Sequence, residues 1–113
     1  MGDTMQLWNI LQIAIAQANA TYEEFLRVPA MSMGIYKLPA GGTDPQSPHT
    51  EDEAYYVVSG RANFVVEGET KAISPGMLLF VPAHADHRFK DITEDLTLLV
   101  FFAPPEGSHT VAG

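Results

Sequence analysis

Near the start of the chain Leu7, Trp8, Leu11 and Ile15, together with Ile10 and Ala14, recur three and four positions apart. That period lines them along one stripe of a helix, and Asp3 or Thr4 offers a capping side chain, so residues 4–18 are expected to form an amphipathic helix. The stripe is broad. It calls for a cover, either the outer face of a sheet or the same helix of a second subunit. From Tyr22 onward the period shortens. Runs rich in β-branched and aromatic residues predict strands at Tyr22–Arg27, Met31–Lys37, Ala54–Val58, Ala62–Glu67, Thr70–Ile73, Met77–Val81, His87–Lys90 and Leu96–Phe102. Pro39-Ala40-Gly41-Gly42, Ser59-Gly60, Glu67-Gly68 and Ser74-Pro75-Gly76 separate them, each with a residue that presets a turn or accepts positive φ. Short strands in succession with no helices between them argue for an all-β sandwich or barrel rather than a parallel α/β sheet.

Composition narrows the class. With 113 residues, 46% of them hydrophobic and 18% charged, the chain can bury one core, and the expected organisation is one domain over 1–113. Within it we expect the helix at about 4–18, a barrel at about 22–103 and a loosely held tail at 104–113. Fourteen acidic against six basic residues, a formal charge of −8, repel a phosphate backbone or an anionic bilayer, so neither nucleic acid nor membrane is an expected partner. The uncharged stretch Met5 to Ala20 is broken by Gln6, Asn9, Gln12, Gln17 and Asn19 and has no basic region before it. It reads as neither signal peptide nor membrane span, and the expectation is a soluble cytoplasmic protein.

Without cysteine there is no disulfide, thiolate nucleophile, zinc ribbon or iron–sulfur cluster, so any metal must be held by His, carboxylate, amide or hydroxyl groups. His49 and Glu53 lie four apart, and Tyr55 and Val57 continue the same parity into a predicted strand. Residues of equal parity share a face, so imidazole, carboxylate and apolar side chains all point into one interior. A carboxylate there is costly unless it is paired or bound to a cation. His87, after Pro82-Ala83-His84-Ala85-Asp86, supplies a second imidazole. Two His and one carboxylate make the facial triad that leaves positions open on Fe(II) or a similar divalent ion. The competing reading is that such His residues are solvated, or satisfied within a core.

The stretch from Gly34 to Asp91 resembles the two motifs of the cupin superfamily. The first, G(x)5HxH(x)3-4E(x)6G, is matched by His49, Glu53 and Gly60, with Ser47 where the first His stands. The second, G(x)5PxG(x)2H(x)3N, is matched by Gly76, Pro82 and His87, with His84 for the second Gly and Asp91 for Asn. The resemblance implies an all-β double-stranded β-helix, a jelly-roll barrel, with a short N-terminal helix. It implies metal ligation by His49, Glu53 and His87, the ion being a divalent transition metal such as Fe, Mn, Ni or Zn. Ser47 is too short to replace imidazole well, and Gln46 beside it has an amide oxygen with longer reach, so Gln46, Ser47 or water completes the set. His84 is read as a turn residue, the alternative being an imidazole beside the metal or facing substrate. His109, in the tail, is expected to be solvated, as are Glu51 and Asp52 at the rim. Tyr36, Tyr55, Phe64 and Phe80 are expected in the barrel core.

The function that follows is a metal-binding protein acting on a small organic molecule, as an oxygenase, isomerase or lyase. The alternative is a small-molecule-binding barrel without turnover. The apolar helix stripe, the barrel edge and the resemblance to single-domain cupins, which are often dimers, point to a homodimer.

Overall fold

A computed structural model describes residues 5–18, 21–45 and 48–108. Its elements are α1 (Ile10–Ala16), β1 (Tyr22–Val28), β2 (Met31–Leu38), β3 (Asp52–Val66), β4 (Glu69–Ile73), β5 (Leu78–Val81) and β6 (His87–Ala103). All strand pairings are antiparallel, in the order β1-β2-β6-β3-β4, with β5 on the free side of β3. The early part of β3 joins β5 on one side and the late part of β6 on the other. Its late part joins β4 and the early part of β6. β3 and β6 therefore run through both walls of the barrel and tie them together.

Six strands stand where eight were expected, because two pairs of predicted strands are continuous. Ser59-Gly60 does not reverse the chain. It makes a bulge, with Gly60 at φ +98°, and the β3–β6 register shifts between Val57 and Ser59 and again up to Asn63. Asp91, at φ +50°, makes the matching break in β6, and its Oδ2 accepts from Asn63 Nδ2 at 2.9 Å. The two breaks change parity. On β3 the buried side chains turned into the barrel are Glu53, Tyr55 and Val57 before the bulge, then Ala62 and Phe64; on β6 they are His87 and Phe89, then Ile92, Leu96, Leu98, Val100 and Phe102, while Thr97 is buried on the other parity. Together with Leu38, Ile73 and Val81 the apolar members form the core. Glu67-Gly68 does reverse the chain: both residues have positive φ, 49° and 84°, as a two-residue hairpin between right-twisted strands requires.

The helix is shorter than 4–18. Asn9 caps it, its side chain accepting from Gln12 N at 3.0 Å, and Trp8 lies outside it against Phe25 with ring centroids 5.0 Å apart. Ala14 is its buried residue, while Leu7, Leu11 and Ile15 are 89%, 62% and 82% exposed, so the sheet does not cover the stripe. Gln17 anchors the end, donating from Nε2 to Ile35 O at 2.8 Å. Pro104 to Ser108 are not loose: Glu106 N donates to Ser32 Oγ at 3.0 Å, and Arg27 Nη2 donates to Glu106 O at 2.9 Å. Phe80, expected in the core, is 64% exposed because β5 turns Leu79 and Val81 inward. Among the described residues no helix is long and apolar enough to cross a membrane.

A Cβ at Gly60 would collide with Asp95 O and the Leu96 backbone, whereas one at Gly76, also at positive φ, meets nothing within 4 Å. Gly76→Ala should cost about 1–2 kcal/mol, the left-handed strain alone, and Gly60→Ala about 2–4 kcal/mol. Urea unfolding of both variants checks the order; equal losses would show that the bulge is not held as tightly as its contacts indicate.

Candidate metal centre

Glu53 faces inward from the start of β3, where its pairing partners are Val81 and Phe102. It is 2% exposed. His87 opens β6 opposite Val66, in the other wall, so carboxylate and imidazole approach from two walls of the barrel. His87 Nδ1 lies 2.9 Å from Ala85 O, which fixes the proton on Nδ1 and turns Nε2 inward. There Nε2 meets Glu53 Oε1 at 3.1 Å and the Tyr55 hydroxyl at 3.2 Å. His49 reaches the same place from the segment before β3. Its carbonyl accepts from His84 N at 2.6 Å, and its ring lies 5.1 Å from Phe102 and 5.7 Å from His87, centroid to centroid. The ligand atoms of His49, Glu53 and His87 all lie within 4.8 Å of one another.

The donor balance of this cluster fits a cation. Glu53 Oε1 is buried and, among the described residues, has no N–H or O–H aimed at it despite its closeness to His87. With the His87 proton on Nδ1, Nε2 and Oε1 are two acceptors face to face, which only a proton or a metal ion between them relieves. Burial works against a charged His87, but the Glu53 carboxylate and the Ala85 carbonyl outweigh it and hold the His87 pKa above the usual imidazole value.

A cavity of about 170 Å³ adjoins the cluster, walled by Tyr22, Tyr36, Tyr55, Val100, Phe102 and Glu106. Tyr36 donates to Asp44 Oδ1 at 2.6 Å, and Asp44 Oδ2 in turn accepts from Phe89 N at 2.9 Å. Burial and the Asp44 hydrogen bond push the Tyr36 hydroxyl pKa well up. Burial, with Glu106 and Glu24 nearby, does the same for Tyr22, so both phenols keep their protons. Glu106 also lies above the usual carboxyl range, first through burial, with neighbouring carboxylates adding to it and His49 opposing.

Of the residues singled out in the sequence, His49, Glu53 and His87 come together. His84 does not join them. Its side chain is exposed, and at φ +70° its backbone makes the turn that holds the His49 carbonyl. Gln46, Ser47 and His109 lie outside the described residues. Tyr55 and Phe64 are buried; Tyr36 is half-buried on the cavity wall. Glu51, expected to be solvated, is 3% exposed and accepts from Thr50 Oγ1 at 2.6 Å, while Asp52 is exposed and accepts from Ala83 N at 3.0 Å. Asp44, Tyr22 and Glu106 were not anticipated. Only Tyr22 carried a signal, its place at the head of a strand; the other two lie in loops, where parity says nothing.

The family model described as Cupin domain matches residues 34–103, a span that contains His49, Glu53 and His87. The chain belongs to the cupin superfamily. An uncharacterised protein of Streptomyces coelicolor is 48% identical to this cupin over 96 residues, covering 85% of this chain and 91% of that one. Among solved structures, an RmlC-like cupin from Desulfovibrio desulfuricans superposes with a TM-score of 0.75 at 20% identity, over 90% of this chain and 99% of its own. KdgF from Halomonas sp. superposes with a TM-score of 0.67 at 25% identity, over 74% and 76%. These likenesses agree with the jelly-roll barrel.

In metal-free protein the raised His87 pKa means that the protonated pair stabilises the fold fully below about pH 6.5, the unfolded value, and that this contribution is lost as pH rises through the folded pKa. Nitrogen-detected NMR should place the His87 titration above 6.5 in the parent protein. It should fall in Glu53→Gln, where burial is no longer opposed by the Glu53 carboxylate and only the Ala85 carbonyl and the Asp44 charge still favour the proton. A titration that does not move would mean that Glu53 does not face His87.

Proposed function

We propose that this cupin binds a divalent transition metal through His49, Glu53 and His87 and acts on a small organic molecule in the adjoining cavity. The observation that carries the reading is the buried Glu53 carboxylate, whose Oε1 meets ligand atoms of two imidazoles, those of His49 and His87, all within 4.8 Å of one another. Such a carboxylate destabilises the barrel unless a cation compensates it. Three protein ligands leave coordination positions open, and an ion so held supplies Lewis acidity to an oxygenase, isomerase or lyase reaction. Glu53 balances part of the cation's charge. Tyr55 and the Ala85 carbonyl hold the His87 ring in orientation, and Val100 and Phe102 keep the cavity wall dry. Glu106, a half-buried carboxyl with a raised pKa on that wall, is a group able to move a proton beside the site, which favours turnover over binding alone.

Protein purified without chelator or metal-affinity tag should contain close to one equivalent of metal. Glu53→Ala and His87→Ala should each lower occupancy by at least about tenfold with the circular dichroism spectrum retained. Affinity should also fall as pH drops through the raised His87 pKa, where protons compete with the ion for the imidazole. Unchanged metal content in both variants, measured by elemental analysis, would overturn the site.

We also propose a homodimer joined through the outer face of the larger wall. An exposed antiparallel sheet ordinarily alternates apolar inward and polar outward. Here the register instead turns Met33, Leu99, Phe101, Tyr56, Leu78 and Phe80 outward, with Leu78 68% and Phe80 64% exposed. A face of this kind needs a cover, and a self-complementary patch supplies it through a two-fold axis. Light scattering should give twice the 12.3 kDa chain mass, and Leu78→Lys with Phe80→Lys should bring it back to the single chain. A single-chain mass for the parent at micromolar concentration would refute the dimer.

A further inference from the structure

Three phenols border the cavity, those of Tyr22, Tyr36 and Tyr55. Two are engaged inside the protein: Tyr36 donates to Asp44 Oδ1 at 2.6 Å, and the Tyr55 hydroxyl meets His87 Nε2 at 3.2 Å. The third is different. Tyr22 Oη is buried and, among the described residues, has no hydrogen-bond partner. A buried hydroxyl without a partner destabilises the fold, and phenylalanine would fill the same space without that loss.

The ring that carries this hydroxyl is held in place. It stands edge-on to Tyr36, centroids 6.5 Å apart, and edge-on to Phe102 at 6.1 Å. Beneath it, on β2, lies Gly34, where a Cβ would run into Tyr22 Cζ, Oη and Cε1. Gly34 is not among the glycines with positive φ, so what it contributes is space and not conformational freedom. The missing side chain is the room in which the phenol lies.

We propose that Tyr22 Oη is the donor that holds the oxygen of a small neutral carbonyl compound in the cavity beside His49, Glu53 and His87. The inference rests on the reading that this cavity takes a small molecule. A donor with no acceptor calls for an oxygen on the ligand, and Val100 and Phe102 offer the hydrocarbon part an apolar wall. Size and charge narrow the class. The volume of about 170 Å³ equals roughly five or six waters at ~30 Å³ each. Besides the cluster it is lined by the carboxyl of Glu106 and by no Arg or Lys, so no cationic side chain of the wall is there to pair with a free carboxylate or phosphate.

The test compares the metal-loaded parent with Tyr22→Phe, using cyclohexanone and methylenecyclohexane, isosteres that differ in whether oxygen or CH₂ is presented. NMR titration should show the parent preferring the ketone, and that preference should fall by about three- to tenfold in Tyr22→Phe. The variant should melt at or above the parent and carry the same metal content, whereas Tyr36→Phe, which loses the Asp44 bond, should melt below it. An unchanged preference, no preference in the parent, or a Tyr22→Phe variant as destabilised as Tyr36→Phe would overturn the assignment. Metal content is read separately: a parent that takes up no metal refutes the metal site, while the Tyr22 comparison keeps its own outcome.

Discussion

A β-strand sends successive side chains to opposite faces, so a strand whose core residues switch from odd to even positions keeps them all inward only if a bulge takes up the extra residue. In this cupin β3 and β6 both run through two walls of the barrel and both make that switch, at Gly60 and at Asp91. The rest of the molecule follows. Before the change β3 turns Glu53, Tyr55 and Val57 inward, and after it Ala62 and Phe64; β6 does the same with His87 and Phe89, then Ile92 and Leu96. Glu53 and His87 lie in different walls and nonetheless face each other across 3.1 Å because both strands are corrected. Without either bulge, core residues and ligand residues could not share one interior.

Around that pair the barrel is tightly built. Tyr55 and Phe64 each lie 6.1 Å from the His87 ring, and Phe64 and Phe89 stand 4.5 Å apart. Rings at these spacings leave little room for His87 to turn away from Glu53, and the Ala85 carbonyl fixes which nitrogen it presents. The apolar shell that makes the carboxylate costly is the same shell that gives the cluster its fixed geometry. Stability and ligation compete at Glu53, as they do wherever a site is built before its cation arrives.

What the sequence made legible is what strand parity and turn chemistry govern. His49, Glu53, Tyr55 and Val57 share a parity that survives into the structure, and Glu67-Gly68 is a turn in both. Ser59-Gly60 misled because positive φ serves a turn and a bulge equally; which one forms depends on whether β6 continues alongside, a question of pairing some thirty residues away. Phe80 looked like core because it is aromatic, yet it falls on the outward parity of β5. Glu51 and Asp44 are buried in segments without periodicity, where partners such as Thr50 and Phe89 N decide the outcome and leave no pattern to read.

The segment after β6 is tied to the opposite end of the described chain. Arg27 reaches Glu106 across 79 positions of sequence, and Ser32 reaches it across 74. Contacts so distant along the chain are closed at a loop-entropy cost that the intervening strands lower once they are in register. The cavity wall that includes Tyr22 and Glu106 is therefore complete only where the two ends of the described chain have met, and not in a barrel in which β3 and β6 alone are paired. Ligand bound against that wall draws the population toward the completed molecule, so the binding event reports on the whole topology and not on its nearest strands alone.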